Sequence, residues 1–306
     1  MSNKTVKLHN SNMPLVGFGT YLVSNEEAEN IIYTSIKCGY RHIDTAQGYF
    51  NEEGIGKAIQ KAISENIIKR EDLYITTKLW PGNEAWGQEP KNYEDTFIAF
   101  TISLEKLHLE YMDLYLIHAP FAENHRIEQW EALINLQSSG KTKDIGVCNY
   151  NIHHFEEIKN RGLPLPTINQ IELHPWSQKP ELLAYMKQNS IKPMAYSSLV
   201  PLSTWREKPG QDSSKTAEMK SEGKDNKSPI KKIAERLHVS EAQVLLRWAI
   251  EQNIPVIPKS TNLKRMEQNL DLYSFELNST DMNALQKEDK GSGVAWVSGD
   301  PSNYEK

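Results

Sequence analysis

Residues 112–120 read MDLYLIHAP, an apolar and aromatic run that ends in the polar residue His118. Such a run is typical of a buried strand, and the polar residue after it marks the point where the strand ends. The same pattern recurs along the chain, and the eight runs that show it are Leu15–Thr20, Arg41–Asp44, Leu73–Lys78, Met112–His118, Thr142–Cys148, Ile168–Glu172, Lys192–Ser197 and Ile254–Pro258. The sequence therefore predicts eight strands spread along its length.

Stretches with helical spacing lie between most of these strands. One of them places four apolar side chains on a single helix face: Phe97, Phe100, Leu104 and Leu107. Another begins at Ser240, which forms a capping-box sequence with Gln243. Alternating strands and helices favour a parallel sheet, and eight units suit a (β/α)8 TIM barrel, whereas a doubly wound sheet more often stops at five or six strands. We therefore expect one α/β barrel domain spanning residues 1–306.

Composition narrows the range of partners. The chain has 306 residues, with 35 Lys and Arg against 40 Asp and Glu, and this net charge of −5 gives no electrostatic reason to bind nucleic acid. No apolar run approaches the ~20 residues of a membrane helix, so a small molecule is the expected partner. The cysteines, Cys38 and Cys148, do not suit a disulfide framework or a metal pair. We expect two buried thiols in a cytoplasmic protein that is a monomer or a weak homodimer.

One gap between predicted strands is much longer than the others. It holds Ser203–Ser228, a polar stretch whose apolar residues are Trp205, Ala217 and Met219. These are too few to form a core, so the sequence predicts a mobile loop after the seventh strand. Loops after barrel strands lie on the active-site face, which makes a lid one interpretation and a tolerated surface insertion the other. Residues 288–306 form a C-terminal tail.

Ionisable side chains end three successive predicted strands. Asp44 ends the second strand, Lys78 the third and His118 the fourth, and Tyr49 lies in the loop after the second. Because a barrel builds its active site at the carboxyl ends of its strands, these four residues are expected on one rim. A lysine beside a tyrosine favours the phenolate and lowers the tyrosine pKa from ~10, which would suit Tyr49 as a proton donor. Each residue alone would more often be structural, but their joint placement favours catalysis.

Other polar residues and glycines give weaker signals. His153 and His154 follow the fifth strand and are interpreted as surface residues, and His174 could line the rim. His174 has no second metal-binding residue at the spacing of a metal site, so we expect no metal. The glycines at residues 17–19 and 54–57 form neither a complete GxGxxG nor a P-loop, and they are interpreted as ordinary turn or helix glycines.

Several motifs resemble the signatures of the aldo-keto reductase family, in particular its aldose reductase and diketogluconate reductase members. From Leu8 to the tail, in the order and spacing of that family, they are GFGTY, IDTAQGYFNE, KLW, MDLYLIHAP, GVCNYN, INQIELHP, AYSSL and IPKSTNLKRMEQN. The resemblance implies NADPH-dependent reduction of aldehydes or ketones to alcohols by hydride transfer. Tyr49 would then be the proton donor, Lys78 and Asp44 the ion pair that tunes it, and His118 the residue that orients the substrate carbonyl.

The cofactor that the resemblance implies is NADPH, bound without a Rossmann fold. Asn149 and Gln170 would bind the nicotinamide amide, and the ring of Tyr196 would stack on the nicotinamide. Lys259, Ser260 and Arg265 match the group that holds the adenosine 2′-phosphate, where two cations suit a dianion; a solvated basic turn is the alternative. The remaining implied cofactor residues are Gly19, Thr20, Ser197, Leu199, Gln268 and Asn269.

The substrate pocket that the resemblance implies is apolar, and its residues are Tyr21, Phe50, Trp80, His118, Ala119 and Trp296. Three residues depart from the family pattern. Cys148 stands where serine is common, Ser198 where proline is common, and Ala119 where many members have a large aromatic residue. The last departure should widen the pocket. Such walls admit aldehydes and bulky ketones alike.

Two other functions fit parts of the sequence. One is a redox-sensing or regulatory subunit that binds the cofactor with little turnover, and the complete set of four polar residues argues against it. The other is a metal-dependent barrel hydrolase, which needs several His or carboxylate ligands on strand ends. The first strand ends in GFGTY with no H-x-H pair, which argues against that class.

Overall fold

The computed structural model of the protein describes residues 4–202, 228–291, 295–296 and 300–304. The loop predicted at Ser203–Ser228 lies outside these residues except for Ser228. The strands are β1 (Thr5–Lys7), β2 (Asn12–Pro14), β3 (Phe18–Gly19), β4 (His42–Asp44), β5 (Tyr74–Leu79), β6 (Met112–Ile117), β7 (Thr142–Cys148), β8 (Ile168–Glu172) and β9 (Lys192–Tyr196). The helices are α1 (Asn25–Cys38), α2 (Glu52–Ser64), α3 (Tyr93–Leu107), α4 (Arg126–Ser138), α5 (Ile152–Asn160), α6 (Pro180–Gln188), α7 (Pro229–Leu237), α8 (Glu241–Glu251), α9 (Leu263–Leu270) and α10 (Ser279–Gln286).

Strands β3 to β9 form one parallel sheet in which each strand pairs with the next in sequence. The eighth predicted strand is reduced to Val256, which bridges Val16 on one side and Ala195 of β9 on the other. The Val256 carbonyl accepts a hydrogen bond from Gly17 N–H at 2.8 Å, and the Pro255 carbonyl accepts one from Ala195 N–H at 2.8 Å. The sheet therefore closes on itself, and the predicted (β/α)8 barrel is confirmed.

An antiparallel hairpin of β1 and β2 precedes the barrel, and the sequence pattern did not predict it. Its turn residue Ser11 hydrogen-bonds to Asp144 near the start of β7 and to Tyr74 at the start of β5. Met13 of β2 is fully buried. The hairpin therefore covers the amino-terminal ends of the barrel strands. Its strands have three residues each, too few for a periodicity signal.

Helices of the barrel bury the faces that their spacing predicts. In α3, Phe100 and Leu107 are buried in the core. Helix α8 begins at the predicted capping box, where Ser240 and Gln243 each accept the other's backbone N–H. No described helix is both long and apolar enough to span a membrane.

The two cysteines differ in exposure. Cys148 is buried at the end of β7, as expected, but Cys38 is partly exposed, so the expectation of a second buried thiol is wrong. The reason is its place as the last residue of α1, directly before the Gly39 cap where the chain leaves the helix.

Gly146 in β7 lies where the barrel has no room for a side chain. A Cβ atom there would lie 2.5 Å from the carbonyl oxygen and from Cγ2 of Ile168 in β8. Because the interior is close-packed, Gly146→Ala is expected to destabilise the fold by about 1–3 kcal/mol, measured as a lower midpoint of urea unfolding. The control is Gly48→Ala, whose Cβ would meet its nearest neighbour, Trp80, at 3.5 Å. Equal midpoints for the two variants would contradict this account.

Candidate active site

The four predicted catalytic side chains lie together at the carboxyl end of the barrel. Asp44 ends β4, Lys78 lies one residue before the end of β5, and His118 follows β6 directly. Tyr49 ends a short 3₁₀ turn, Gln47–Tyr49, after β4. Adjacent parallel strands end at the same edge of the sheet, so residues far apart in sequence converge on one rim.

Lys78 and Asp44 form a fully buried ion pair. Nζ of Lys78 lies 2.5 Å from Oδ1 of Asp44 and donates to the carbonyl of Thr45 at 2.8 Å. The second carboxylate oxygen of Asp44 accepts a hydrogen bond from Nε2 of Gln170 at 2.8 Å. Burial lowers the pKa of Lys78, but a group of partners led by the Asp44 carboxylate raises it above its ordinary value. The lysine therefore keeps its positive charge inside the barrel.

Tyr49 lies next to this ion pair, with its ring centre 5.0 Å from Nζ of Lys78. Burial raises the pKa of the Tyr49 phenol, and the Lys78 ammonium opposes this rise without reversing it. The expectation that the lysine brings the pKa below its usual value is therefore wrong. The physical reason is that desolvation disfavours the phenolate more than a cation already paired with Asp44 favours it. Tyr49 is held as a neutral phenol, which has a proton to give.

His118 faces Tyr49 edge to face, with ring centres 5.4 Å apart. Burial, followed by the nearby Lys78 ammonium, lowers the pKa of His118 well below its ordinary value, so the ring is uncharged. Its Nδ1 is buried and has no partner among the described residues. An uncharged imidazole carries one N–H donor. A phenol and a neutral imidazole thus stand side by side next to a buried cation.

Three predicted cofactor residues are joined to this group by hydrogen bonds. Asn149 follows β7 directly, and its Nδ2 donates to the carbonyl of His118 at 3.0 Å. The Tyr196 hydroxyl donates to Oδ1 of Asn149 at 2.7 Å. The side-chain nitrogen of Gln170 donates to Asp44, so the side-chain oxygen of Gln170 is left for another partner. The structure brings the three side chains together, and their contacts to a nicotinamide amide stay a prediction.

Further polar groups at the rim fit a dinucleotide. The hydroxyl oxygens of Thr20 and Ser198 are buried and have no partner among the described residues. Buried donors of this kind suit phosphate or amide oxygens. Gly19 packs so closely on the eighth strand that a Cβ would lie 2.5 Å from the carbonyl of Ile257. A side chain at residue 19 would therefore push the first and eighth strands of the barrel apart next to Thr20.

The predicted phosphate-binding residues gather at the start of α9. Ser260 is buried, and its hydroxyl accepts from the N–H of Asn262 at 3.1 Å. Lys259 and Arg265 are exposed on either side of this cap. Two cations at a helix N-terminus fit a phosphate dianion. The remaining predicted cofactor residues lie in α9 or follow β9 directly, and they are Gln268, Asn269, Ser197 and Leu199.

Aromatic rings form a wall beside His118. Trp80 follows β5 and stacks on Trp86 with ring centres 6.0 Å apart, and Phe121 contacts both rings. Trp296 of the tail packs against Phe121 and His118. Sequence analysis missed Trp86 and Phe121. Both lie in loops directly after predicted strands, and that position is the signal that could have identified them.

The other predicted substrate residues differ in exposure. Tyr21 contacts the ring of Tyr49 at 5.2 Å, and Phe50 is 80% exposed. Ala119 is fully buried, and the neighbouring His118 packs against Trp296.

His153 is exposed, as expected, whereas His154 is fully buried, so its expected surface position is wrong. His174 is also fully buried, and it lies just after the carboxyl end of β8, on the side of the barrel that carries the rim. Burial lowers the pKa of His154 to about 3, and its Nε2 meets the carbonyl of Tyr304 at 3.1 Å. His174 pairs with Glu172 at 2.9 Å, and Glu172 accepts the N–H of Ala295 at 2.8 Å. The two histidines serve the C-terminal tail, a tertiary role that local sequence does not reveal. Within the described residues, no group of three or more His, Cys, Asp or Glu side chains is arranged to hold a metal ion.

Comparison with known proteins agrees with this geometry. Residues 15–290 match the model of the aldo/keto reductase family. The chain is 39% identical over 291 residues to the glyoxal reductase of Bacillus subtilis strain 168, covering 94% of each chain. It is 36% identical over 294 residues to the methylglyoxal reductase DkgA of Escherichia coli strain K12, covering 95% of this chain and 96% of that one. The solved structure of a Bombyx mori aldo-keto reductase in complex with NADP matches with a TM-score of 0.83 at 30% identity, covering 98% of each chain. The chain belongs to the aldo/keto reductase family.

Proposed function

We propose that the protein reduces aldehydes or ketones to alcohols, with NADPH as the hydride donor and Tyr49 as the proton donor. Family membership makes it an NAD(P)H-dependent carbonyl oxidoreductase that acts on small molecules. The observation that carries the finer proposal is the charged Lys78, held by Asp44, with its Nζ 5.0 Å from the ring of Tyr49. A cation in this place stabilises the phenolate that proton donation leaves behind.

Each of the four side chains has its own part in the proposed reaction. When bound, NADPH supplies the hydride for the carbonyl carbon. Tyr49 gives its phenolic proton to the carbonyl oxygen, Lys78 stabilises the resulting phenolate, and Asp44 keeps Lys78 charged and in place. The uncharged His118 donates a hydrogen bond to the same oxygen and so orients the carbonyl. With all four in place, a regulatory subunit with little turnover is not favoured.

The names of the relatives and the aromatic wall support two groups of test substrates. Two relatives are named for glyoxal and methylglyoxal, which makes these α-oxoaldehydes the first candidates. The wall of Trp80, Trp86 and Phe121 supports aldehydes with an apolar substituent as the second group. We also propose a cytoplasmic location, supported by two cysteines that are not paired with each other.

Tyr49→Phe is expected to lower kcat by the ~10²–10⁴-fold typical of losing a general acid. The ring stays and only the proton is lost, so the dissociation constant of NADPH should change little. Steady-state NADPH oxidation with several carbonyl substrates measures kcat, and titration measures the dissociation constant. Tyr33→Phe, a tyrosine at a distance on α1, serves as control. Wild-type turnover by Tyr49→Phe with every substrate would refute the assignment.

Replacing both Lys259 and Arg265 by Ala is expected to weaken NADPH binding by about 1.5–3 kcal/mol for each charge-assisted bond lost. NADH has no 2′-phosphate, so its affinity should stay nearly unchanged and the preference for NADPH should narrow or invert. Calorimetric titration with both cofactors measures this. The double variant Lys57→Ala/Lys61→Ala on α2 makes the same charge change away from the site. Equal losses for NADPH and NADH would mean that the two residues support the fold instead.

A further inference from the structure

A chain of hydrogen bonds runs from the C-terminal tail to the rim of the barrel. Nε1 of Trp296 lies 2.9 Å from the hydroxyl of Tyr196. That hydroxyl lies 2.7 Å from Oδ1 of Asn149, whose Nδ2 lies 3.0 Å from the carbonyl of His118. The ring of Trp296 also packs against Phe121 at a centre distance of 5.8 Å. One tail residue therefore touches both the aromatic wall and the residues predicted to bind the cofactor.

The two ends of this chain determine the direction of every hydrogen bond in it. An indole N–H only donates, so the Tyr196 hydroxyl accepts from Trp296 and gives its own hydrogen to Asn149. A backbone carbonyl only accepts, so the atom of Asn149 that faces His118 is the amide nitrogen. Both ends require the same orientation of the Asn149 amide. One Nδ2 hydrogen and one Oδ1 lone pair of Asn149 take no part in these hydrogen bonds.

Trp296 is anchored through the residue before it. The backbone N–H of Ala295 donates to Oε2 of Glu172 at 2.8 Å, and Ala295 itself is buried. Glu172 is 1% exposed, and its other oxygen meets His174 at 2.9 Å. Because a buried and hydrogen-bonded carboxylate holds the backbone here, the indole is presented to Tyr196 in one place.

We propose that Trp296 is a positioning residue for the cofactor. Its indole N–H orients the Tyr196 hydroxyl and, through it, the amide of Asn149, so that the unused hydrogen and lone pair of Asn149 are available to the nicotinamide carboxamide. A primary carboxamide offers the matching lone pair and hydrogen. This inference rests on the proposed function, because it requires a nicotinamide cofactor. It adds a cofactor role to a residue that the family resemblance implies for the substrate pocket.

The first test compares Trp296→Phe with Trp86→Phe in calorimetric titrations of the full chain with NADPH. Both variants remove an indole N–H from the aromatic wall and keep a ring. In the wild type, Nε1 of Trp296 donates to Tyr196, whereas the Trp86 indole has no hydrogen-bond partner among the described residues. Trp296→Phe is expected to raise the NADPH dissociation constant roughly 3- to 10-fold, and Trp86→Phe to leave it unchanged. The KM for a carbonyl substrate can shift in both, because both rings line the wall.

The second test determines whether Trp296 affects NADPH binding through the hydroxyl of Tyr196. Tyr196→Phe keeps the stacking ring and leaves the tail sequence intact, and it is expected to weaken NADPH binding at least as much as Trp296→Phe. The double variant Trp296→Phe/Tyr196→Phe should bind no more weakly than Tyr196→Phe alone. Thermal unfolding of each variant establishes that it is folded before titration.

Three results would overturn the inference: wild-type NADPH affinity in Trp296→Phe, an equal loss in Trp86→Phe, or losses that multiply in the double variant. A wild-type protein that does not bind NADPH would overturn both the inference and the proposed function. A wild-type protein that binds NADPH but reduces no carbonyl would overturn the proposed function alone, and the titrations would still decide the role of Trp296.

Discussion

A positive charge with no exposure to solvent stands at the mouth of the barrel, and the rest of the site is arranged around it. Removing an ammonium group from water costs several kcal/mol, which the Asp44 carboxylate at 2.5 Å and the Thr45 carbonyl offset for Lys78. Losing Asp44 would leave the charge unpaired, at a cost of about 3–5 kcal/mol. Replacing a buried ion pair by apolar residues of similar volume is often neutral or stabilising, so stability alone does not account for a charge in this place.

Barrel closure is what allows this ion pair to be completed. Counting Val256 as the eighth strand, β4 is the second strand of the barrel and β8 the sixth, so the two lie opposite each other. Asp44 on β4 nevertheless accepts a hydrogen bond from Gln170 on β8 at 2.8 Å. Such a bond spans the interior and forms only when the sheet closes. The short seam around Val256 therefore supports the electrostatics of the site as well as the fold.

Strand ends were predictable because strands buried on both faces appear in sequence as apolar runs, and parallel strands end at one rim. This logic alone located Asp44, Lys78 and His118. It failed where a tertiary partner decides the outcome: His154 was expected on the surface, but its ring is buried where Nε2 meets the carbonyl of Tyr304 in the C-terminal tail. For Tyr49, sequence analysis predicted correctly that Lys78 lowers the pKa of the phenol. The larger effect of burial, which raises this pKa, depends on neighbours from several strands.

The distribution of charge supports the proposed reaction, in which a carbonyl oxygen becomes an alkoxide. The rings that pack against His118 belong to Tyr49, Trp80 and Trp296, and all are uncharged. A neutral carbonyl gains little from such surroundings, whereas an oxygen acquiring negative charge gains strongly from O–H and N–H donors and a buried ammonium in a medium of low dielectric. A protonated His118 would add a second cation and bind anions in the ground state. Burial and Lys78 keep that ring neutral, so in the proposed reaction the strongest interaction would form only in the transition state.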